Sequence, residues 1–325
     1  MPTSNIDESI SGARVVLLLI LSVSMVSSAS ILITVSTSPS LVKVFWRTLY
    51  GSLFMAAIGV VRGDLAALKG PQIRGTWPWL VGIGVILSLH FSTWFQSLEM
   101  TSISASVVLV DSSPIFVAIL STLFLGESLR RRSWIGILVA VTGAIFLAWV
   151  DYDGLDLGAL TGDLLALAGA VFLAIYFIGG RRYARGVPIT VYTSIVYLAA
   201  AITTLGLCIL SGYNVLVFEP SEVLIFIALA VFPTVLGHSV NNYLLTKVPA
   251  YVVSSAVLGE PVGATILAMV FLNRIPSPAV LIGFTIILLG VAAVLTDVAS
   301  SDRSQSLSLD DTDRSQSDCL GCDSD

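Results

Sequence analysis

The most informative shortage in this chain is charge, because only 11% of its 325 residues are Asp, Glu, Lys or Arg. A soluble domain carries about 25% charged residues, so this composition excludes an ordinary soluble fold. Hydrophobic residues make up 56% of the chain and the mean hydropathy is +0.94. Apolar runs of roughly 18 or more residues, long enough to cross the hydrocarbon of a bilayer, recur along the whole length. The sequence therefore predicts an all-α membrane protein.

Motifs of several common enzyme classes are also missing. The chain has no G-x(4)-GK(S/T) loop for nucleotide phosphates and no HExxH or GxSxG motif of hydrolases. Its three cysteines are Cys208 in an apolar run and Cys319 and Cys322 in a polar tail, which implies no disulfide framework. The CxxC of the tail lacks the further ligands that a metal site needs. We therefore predict no metal, no cofactor, no direct use of ATP and no nucleic-acid partner.

Ten apolar segments are candidates for membrane spans, and short connections rich in Gly, Asp, Ser and Pro join them. They are residues 14–36, 40–61, 76–98, 102–125, 132–150, 159–180, 188–211, 221–246, 250–272 and 277–297. Residues 1–13 lack the basic region of a signal peptide, so the first run is interpreted as a retained helix. Residues 299–325 are polar and low in complexity, which predicts a disordered acidic tail.

The distribution of basic residues predicts the orientation. With a cytoplasmic N-terminus, Arg274 is the one basic residue in the outer loops, whereas the inner loops and flanks hold eleven. The inner set is Arg14, Arg62, Lys69, Arg74, Arg130, Arg131, Arg132, Arg181, Arg182, Arg185 and Lys247. This positive-inside bias predicts a multi-pass protein of the plasma membrane with both termini in the cytoplasm.

The chain also repeats itself at an offset of 147 residues. Pro114 matches Pro261, Gly136 matches Gly283 and Gly143 matches Gly290. We therefore predict two five-helix repeats, residues 14–150 and 151–298, between an N-terminal tail (1–13) and a C-terminal tail (299–325). An odd number of spans inverts one repeat relative to the other, as alternating access requires.

The motif LVDSSPIFVAILSTLFLGESL, followed by W-x-G-x(6)-G, resembles the EamA family of the drug/metabolite transporter superfamily. The second half is similar at Gly259-Glu260-Pro261, Gly283 and Gly290, and Gly162-Asp163 and Arg47 also fit the family pattern. Two departures stand out: Ser27-Ser28-Ala29-Ser30 replaces a common Trp-Gly, and Asn273-Arg274 replaces the second Gly-Glu. The resemblance implies a ten-helix inverted-repeat carrier of small metabolites, often an exporter of amino acids or related compounds.

Polar residues inside the bilayer are the candidates for a substrate-binding or coupling site, because a charged side chain at mid-span is costly. Asp111 and Glu260 each lie within one turn of a mid-span proline, Pro114 or Pro261. They are candidates for carrying a coupling proton, and the alternative is a structural carboxylate at a proline break. Arg47 could bind an anionic group of the substrate or form a fixed ion pair.

Two histidines and their neighbours form a second candidate group. His90 and His238 occupy nearly equivalent positions in the third and eighth spans. Trp94 shares a helix face with His90, and Asn241 and Asn242 follow His238 by about one turn. These side chains could line a cavity, or they could serve interhelical packing and hydrogen bonding. Lys43 is expected to extend to the outer interface. Glu127 is expected to be structural and to pair with Arg130, Arg131 or a neighbouring loop.

These observations predict a secondary active transporter of small metabolites that works by alternating access, in the export direction. No catalytic residue is predicted. An intramembrane enzyme, or a channel or sensor, remains the alternative. The expected partners are a small-molecule substrate, protons as a candidate coupling ion and the lipid bilayer, and a homodimer stays open.

Overall fold

The computed structural model describes residues 10–150, 157–272 and 276–296, and all regular structure among them is helical. The first repeat contains seven α-helices and one short 3-10 helix, Asp64–Lys69. The α-helices are α1 (Gly12–Val26), α2 (Ser28–Val35), α3 (Ser40–Arg62), α4 (Pro71–Met100), α5 (Ile103–Val110), α6 (Ser113–Leu125) and α7 (Arg131–Val150).

The described part of the second repeat, residues 157–272 and 276–296, contains seven α-helices and one π-helix. These are α8 (Leu157–Tyr183), α9 (Ile189–Leu210), α10 (Glu222–Leu229), the π-helix (Ala230–His238), α11 (Ser239–Lys247), α12 (Ala250–Val257), α13 (Glu260–Leu272) and α14 (Pro278–Thr296). The π-helix is continuous with α10 and α11, so the three form one apolar segment, Glu222–Lys247.

Nine helical segments in the described residues are long and apolar enough to cross a membrane. They agree with nine of the ten predicted spans, because polar loops and prolines fix the helix ends. Pro39, Pro188 and Pro249, for example, are the residues that immediately precede α3, α9 and α12. The helix α7 has 20 residues but is not one of the nine, so the exact count of ten spans stays a prediction.

Helices at matching positions in the two repeats pack against each other. The 147-residue offset places α3 on α9, α6 on α13, and α7 on α14. In the structure α3 packs along α9, and α6 packs on α12, the helix just before α13. The contact of α4 with α8 has its counterpart in the contact of the π-helix with α1. This reciprocal pattern is what a two-fold relation between the repeats would produce.

The last helices of the two repeats, α7 and α14, approach closely through their glycines. A Cβ atom built on Gly290 would lie 2.5 Å from the backbone N of Ala140 and 2.5 Å from the carbonyl O of Gly136. One built on Gly136 would lie 2.7 Å from the carbonyl O of Gly290. The repeated glycines are therefore required by backbone-to-backbone packing, as the spacing of small residues in membrane helices predicts.

Candidate functional site

Three spans are interrupted near their middle, and the interruptions meet around one cavity. The first span breaks at Ser27 between α1 and α2, and the fourth breaks at Asp111 and Ser112 between α5 and α6. The ninth breaks at residues 258–259, between α12 and α13. Pro114 and Pro261 sit in the first turns of α6 and α13, where a missing N–H is tolerated. The two mid-span prolines therefore lie directly after breaks in their spans.

The cavity lies in the protein interior and has a volume of about 20 Å³. That volume holds roughly one water molecule, so the cavity as it stands is too small for a metabolite. Both repeats supply its walls, which are Val26, Ala29, Arg47, His90, Trp94, Val110, Asp111, Leu173, Phe177, His238, Asn241, Val257 and Glu260.

One cationic side chain, Arg47, and two acidic side chains, Asp111 and Glu260, line this cavity. Each has polar atoms without a hydrogen-bond partner among the described residues. Arg47 is fully buried, and Asp111 and Glu260 are 1% and 5% exposed. Nη1 and Nη2 of Arg47, Oδ2 of Asp111 and Oε1 of Glu260 have no hydrogen-bond partner among the described residues. Buried polar atoms are almost always paired, so such a concentration of unpaired atoms is typical of a functional site.

The guanidinium of Arg47 is nevertheless held in place. Its Nε donates a hydrogen bond of 2.7 Å to Oγ1 of Thr234 on the π-helix. Its Cζ lies 3.9 Å from the centre of the Phe91 ring, a cation–π contact. Arg47 makes no ion pair with a carboxylate in the part of the chain that the structure describes, so a fixed structural pair is not observed there.

The two histidines lie together beside the charged groups, with ring centres 6.4 Å apart. Nδ1 of His90 donates to the carbonyl of Gly169 at 2.9 Å, because a carbonyl oxygen can only accept. Trp94 lies nearly parallel to the His90 ring, and its indole nitrogen has no hydrogen-bond partner among the described residues. Nδ1 of His238 is likewise unpaired within that part of the chain. His90, Trp94 and His238, which the sequence analysis placed in one group, therefore lie together in the structure.

Of the eight predicted site residues, all but Asn242 line the cavity. Asn241 accepts a hydrogen bond of 2.5 Å from the Ser22 hydroxyl, which joins α11 to α1. Asn242 turns away and donates to the Tyr176 hydroxyl at 2.5 Å and to the carbonyl of His238 at 2.8 Å. The structure thus corrects the placement of Asn242. Its neighbour Asn241 lines the cavity, whereas the side chain of Asn242 joins α11 to α8.

Two further expectations concern charged residues at the ends of the spans. Lys43 is 3% exposed, and its Nζ lies 3.6 Å from Oε1 of Glu99, whose side chain is 41% exposed. The ammonium group therefore ends at a carboxylate of α4 that reaches the protein surface, and its extension to the membrane interface stays a prediction. Glu127 pairs at 2.7 Å with Arg181 of α8, which the sequence analysis did not name as its partner, and it also accepts from the backbone N of Ala250 at 3.1 Å.

Sequence reasoning missed the apolar wall, and it named no residue of the first span as a site residue. Val26 and Ala29 line the cavity next to the Ser27 break, and the Ser27 hydroxyl donates to the carbonyl of Glu260 at 3.1 Å. The run of small residues from Ser27 to Ser30 was the available signal, because small side chains permit close approach between helices. Apolar wall residues such as Leu173 and Phe177 gave no signal, since they look the same whether they face lipid or a cavity.

Known proteins with related sequences are membrane transporters. The model of the EamA-like transporter family matches the chain twice, at residues 13–149 and 160–296. The chain is 28% identical over 276 residues to the aromatic amino acid exporter YddG of Ancylobacter novellus, covering 82% of this chain and 90% of that protein. It is 28% identical over 219 residues to the threonine/homoserine exporter RhtA of Escherichia coli, covering 67% of this chain and 71% of that protein.

A solved crystal structure shows the same fold. It superposes with a TM-score of 0.72 at 24% sequence identity, covering 87% of this chain and 96% of the other. The two family matches together span both repeats and all the residues around the cavity. The protein is therefore a multi-pass membrane transporter of small molecules rather than an enzyme, and it belongs to the EamA-like transporter family.

Proposed function

We propose that this protein is a secondary active transporter that exports amino acids or closely related compounds by alternating access, with the substrate bound at the cavity between the repeats. The observation that carries the proposal is that Nη1 and Nη2 of Arg47 and one oxygen each of Asp111 and Glu260 lie at one buried cavity without hydrogen-bond partners among the described residues. An α-amino acid carries the complementary groups, a carboxylate and an ammonium, on the same carbon atom. The names of the relatives YddG and RhtA support the same class of substrate.

The charges indicate how such a substrate would be oriented. Nη1 and Nη2 of Arg47 form a fork that fits a planar carboxylate. The carboxylates of Asp111 and Glu260 offer acceptors for an ammonium group. Trp94, Leu173 and Phe177 supply apolar surface for the substrate's side chain. Charged groups this deep in a membrane are costly without partners. A zwitterionic substrate would pair with the guanidinium and with the carboxylates, which explains why Arg47, Asp111 and Glu260 are all present at the cavity.

Binding requires the closed cavity to open, and two ion pairs stand at opposite ends of the fourth span. Glu99 precedes that span and pairs with Lys43, whereas Glu127 follows it and pairs with Arg181. Glu127 belongs to the first repeat and Arg181 to the second, so this pair joins the repeats directly. We infer that the two pairs break alternately, each when the cavity opens towards its own side of the membrane.

The proposed topology has ten spans in two inverted five-helix repeats, residues 14–150 and 151–298, with both termini in the cytoplasm of the plasma membrane. The reciprocal packing of α3 on α9 and of α7 on α14 supports a two-fold relation. Five spans in each repeat would invert the second repeat relative to the first. The excess of arginine on one side supports the orientation.

Protons are the proposed coupling ion. Asp111 and Glu260 lie at equivalent breaks of the fourth and ninth spans, and both line the cavity. Two carboxylates close together in a low-dielectric site do not readily carry two negative charges, so one of them can hold a proton until the substrate's ammonium group replaces it. Export of the substrate would then accompany proton entry.

Flux in proteoliposomes tests the proposed function. The purified protein should move radiolabelled L-phenylalanine or L-threonine, with saturation and with acceleration by unlabelled solute on the opposite side, which is counterflow. Chromatography of the recovered label should show the unchanged amino acid. Recovery of a modified product would indicate an enzyme, and unsaturable flux without counterflow would indicate a channel. Flux equal to that of empty liposomes for both amino acids would reject this class of substrate.

A further inference from the structure

A nine-residue π-helix, Ala230–His238, forms one side of the cavity region. Pro233 sits inside it and has no backbone N–H, so the carbonyl of Leu229 four residues earlier loses its usual α-helical donor. In a π-helix the N–H five residues ahead, that of Thr234, takes over this role, and the Thr234 hydroxyl also donates to the Leu229 carbonyl, at 2.8 Å. π-helical turns are rare and occur frequently at functional sites.

The same hydroxyl also contacts the candidate anion-binding residue. Nε of Arg47 donates to Oγ1 of Thr234 at 2.7 Å. A hydroxyl has one proton and two lone pairs. Because its proton is already directed to the carbonyl of Leu229, the Thr234 oxygen presents a lone pair to Arg47. The π-helix therefore fixes which way this hydroxyl faces.

Packing holds Thr234 in this arrangement. A Cβ atom added to Gly51 would lie 3.0 Å from Cγ2 of Thr234, so glycine at this position leaves room for the methyl group. The carbonyl of Thr234 accepts from the Tyr197 hydroxyl at 3.2 Å and from the Ser239 hydroxyl at 3.3 Å. Thr234 is fully buried, and its side chain is fixed through both its methyl and its hydroxyl group.

These contacts hold the plane of the Arg47 guanidinium and leave the edge formed by Nη1 and Nη2 open. Thr234 holds Nε, and the face of the Phe91 ring lies 3.9 Å from Cζ. Nη1 and Nη2 are left without partners among the described residues, on a side chain that lines the cavity. A planar fork of this kind matches the two oxygens of a carboxylate.

We propose that Thr234 is a positioning residue, which turns the guanidinium of Arg47 so that the protein selects substrates with a planar carboxylate over neutral analogues. The inference rests on the proposed function, because it requires that Arg47 contacts the substrate. Thr234 itself does not line the cavity and acts through Arg47. A purely structural role, in which Thr234 only closes the π-helix through Leu229, would affect all substrates alike.

The test compares two probes in the counterflow assay with the full-length protein. L-Phenylalanine carries the carboxylate, and L-phenylalaninamide keeps the ring and the ammonium but replaces the carboxylate by a neutral amide. The variants are Thr234→Val, which removes the hydroxyl at similar volume, Thr234→Ser, which keeps it, and Arg47→Gln. Thr48→Val is the matched control. Thr48 lies on α3 and is fully buried, as Thr234 is, but its hydroxyl donates to the carbonyls of Val44 and Phe45 in its own helix.

We expect Thr234→Val to raise the half-saturation concentration for L-phenylalanine about tenfold, the effect of one lost hydrogen bond to a charged group. The value for phenylalaninamide should not change, Thr234→Ser should retain the wild-type preference within about twofold, and Thr48→Val should match the wild type. Thr234→Ala removes the hydroxyl without placing a methyl group near Arg47, and it should reproduce the loss of preference if the valine variant folds poorly.

The outcomes separate the two proposals. If Arg47→Gln discriminates between the probes as the wild type does, Arg47 does not bind the carboxylate, and both the anion contact and this inference fail. If Arg47→Gln loses discrimination while Thr234→Val and Thr234→Ala keep it, the proposed function stands and the positioning role of Thr234 is refuted. Equal weakening of both probes in the Thr234 variants would also refute it, in favour of a structural role.

Discussion

Replacing Gly290 with alanine tests whether the two repeats are joined by the close packing of α7 and α14. The new Cβ atom would lie 2.5 Å from the backbone N of Ala140 and from the carbonyl O of Gly136. Both obstacles are backbone atoms, so neither can move away by a change of rotamer. One or both helices must shift, and the contact along the seam must loosen.

The expected magnitude follows from two opposing effects. Alanine in place of glycine stabilises the middle of a helix by about 0.5–1 kcal/mol when space is available. Overpacking a well-packed contact costs about 1–3 kcal/mol. Gly82→Ala is the matched control, since Gly82 lies within α4 and a Cβ atom there would meet nothing within 4 Å. Gly82→Ala should therefore unfold at or above the wild-type temperature, and Gly290→Ala below it.

Thermal unfolding in detergent, followed by intrinsic tryptophan fluorescence, measures the difference. Gly136→Ala should resemble Gly290→Ala, because the two glycines contact each other. The double variant should destabilise the protein by less than the sum of the two, since the first shift already separates the helices. An unfolding temperature for Gly290→Ala equal to or higher than that of Gly82→Ala would refute the close packing of α7 on α14.

Three further predictions concern coupling, the contact between repeats and orientation. Asp111→Asn or Glu260→Gln should abolish uptake driven by a proton gradient while exchange continues, and normal gradient-driven transport in both variants would exclude a coupling role for either. Glu127→Gln should lower the free energy of unfolding by about 1–3 kcal/mol, because it weakens a charge-assisted hydrogen bond between half-buried groups. Arg62→Gln, which breaks an exposed pair, should change it by less than about 1 kcal/mol, and equal effects would contradict this assignment. A cysteine at position 221, in a background without other cysteines, should react with an impermeant maleimide added outside intact cells, and reaction only from the cytoplasmic side would reject the orientation.

The sequence predicted the positions of the helices because two strong signals coincide at their ends. Residues 40–61 and 188–211 were predicted spans, and the helices run over Ser40–Arg62 and Ile189–Leu210. Hydropathy sets the length of a span, and prolines and polar loops set its limits. Arg274, the basic residue placed in the outer loops, and the whole C-terminal tail lie outside the described residues.

The breaks within helices were harder to predict. Pro114 and Pro261 signalled the interruptions of the fourth and ninth spans. The break at Ser27 and the π-helix around Pro233 were missed, since they depend on where single hydrogen bonds go once neighbouring helices are in place. Average hydropathy does not report such changes.

The polar part of the cavity was predictable for a physical reason, and its apolar part was not. A charged or hydrogen-bonding side chain in the middle of an apolar helix must turn towards protein rather than lipid, so Arg47, Asp111 and Glu260 converge. Thr234 was overlooked because a threonine in a membrane helix usually bonds only to its own helix. Its contact with Arg47 becomes visible only in three dimensions.

The most direct test of a substrate site between the repeats is chemical blockage of the cavity. Ala29 lines the cavity and is 1% exposed, so a group attached there must occupy the space proposed for the substrate. Ala29→Cys is made in a background in which Cys208, Cys319 and Cys322 are replaced, and proteoliposomes are treated with N-ethylmaleimide, with labelling measured by mass spectrometry. We predict loss of L-phenylalanine counterflow in proportion to labelling, and protection from both by excess L-phenylalanine. Undiminished counterflow by fully labelled protein would contradict a substrate site at this cavity.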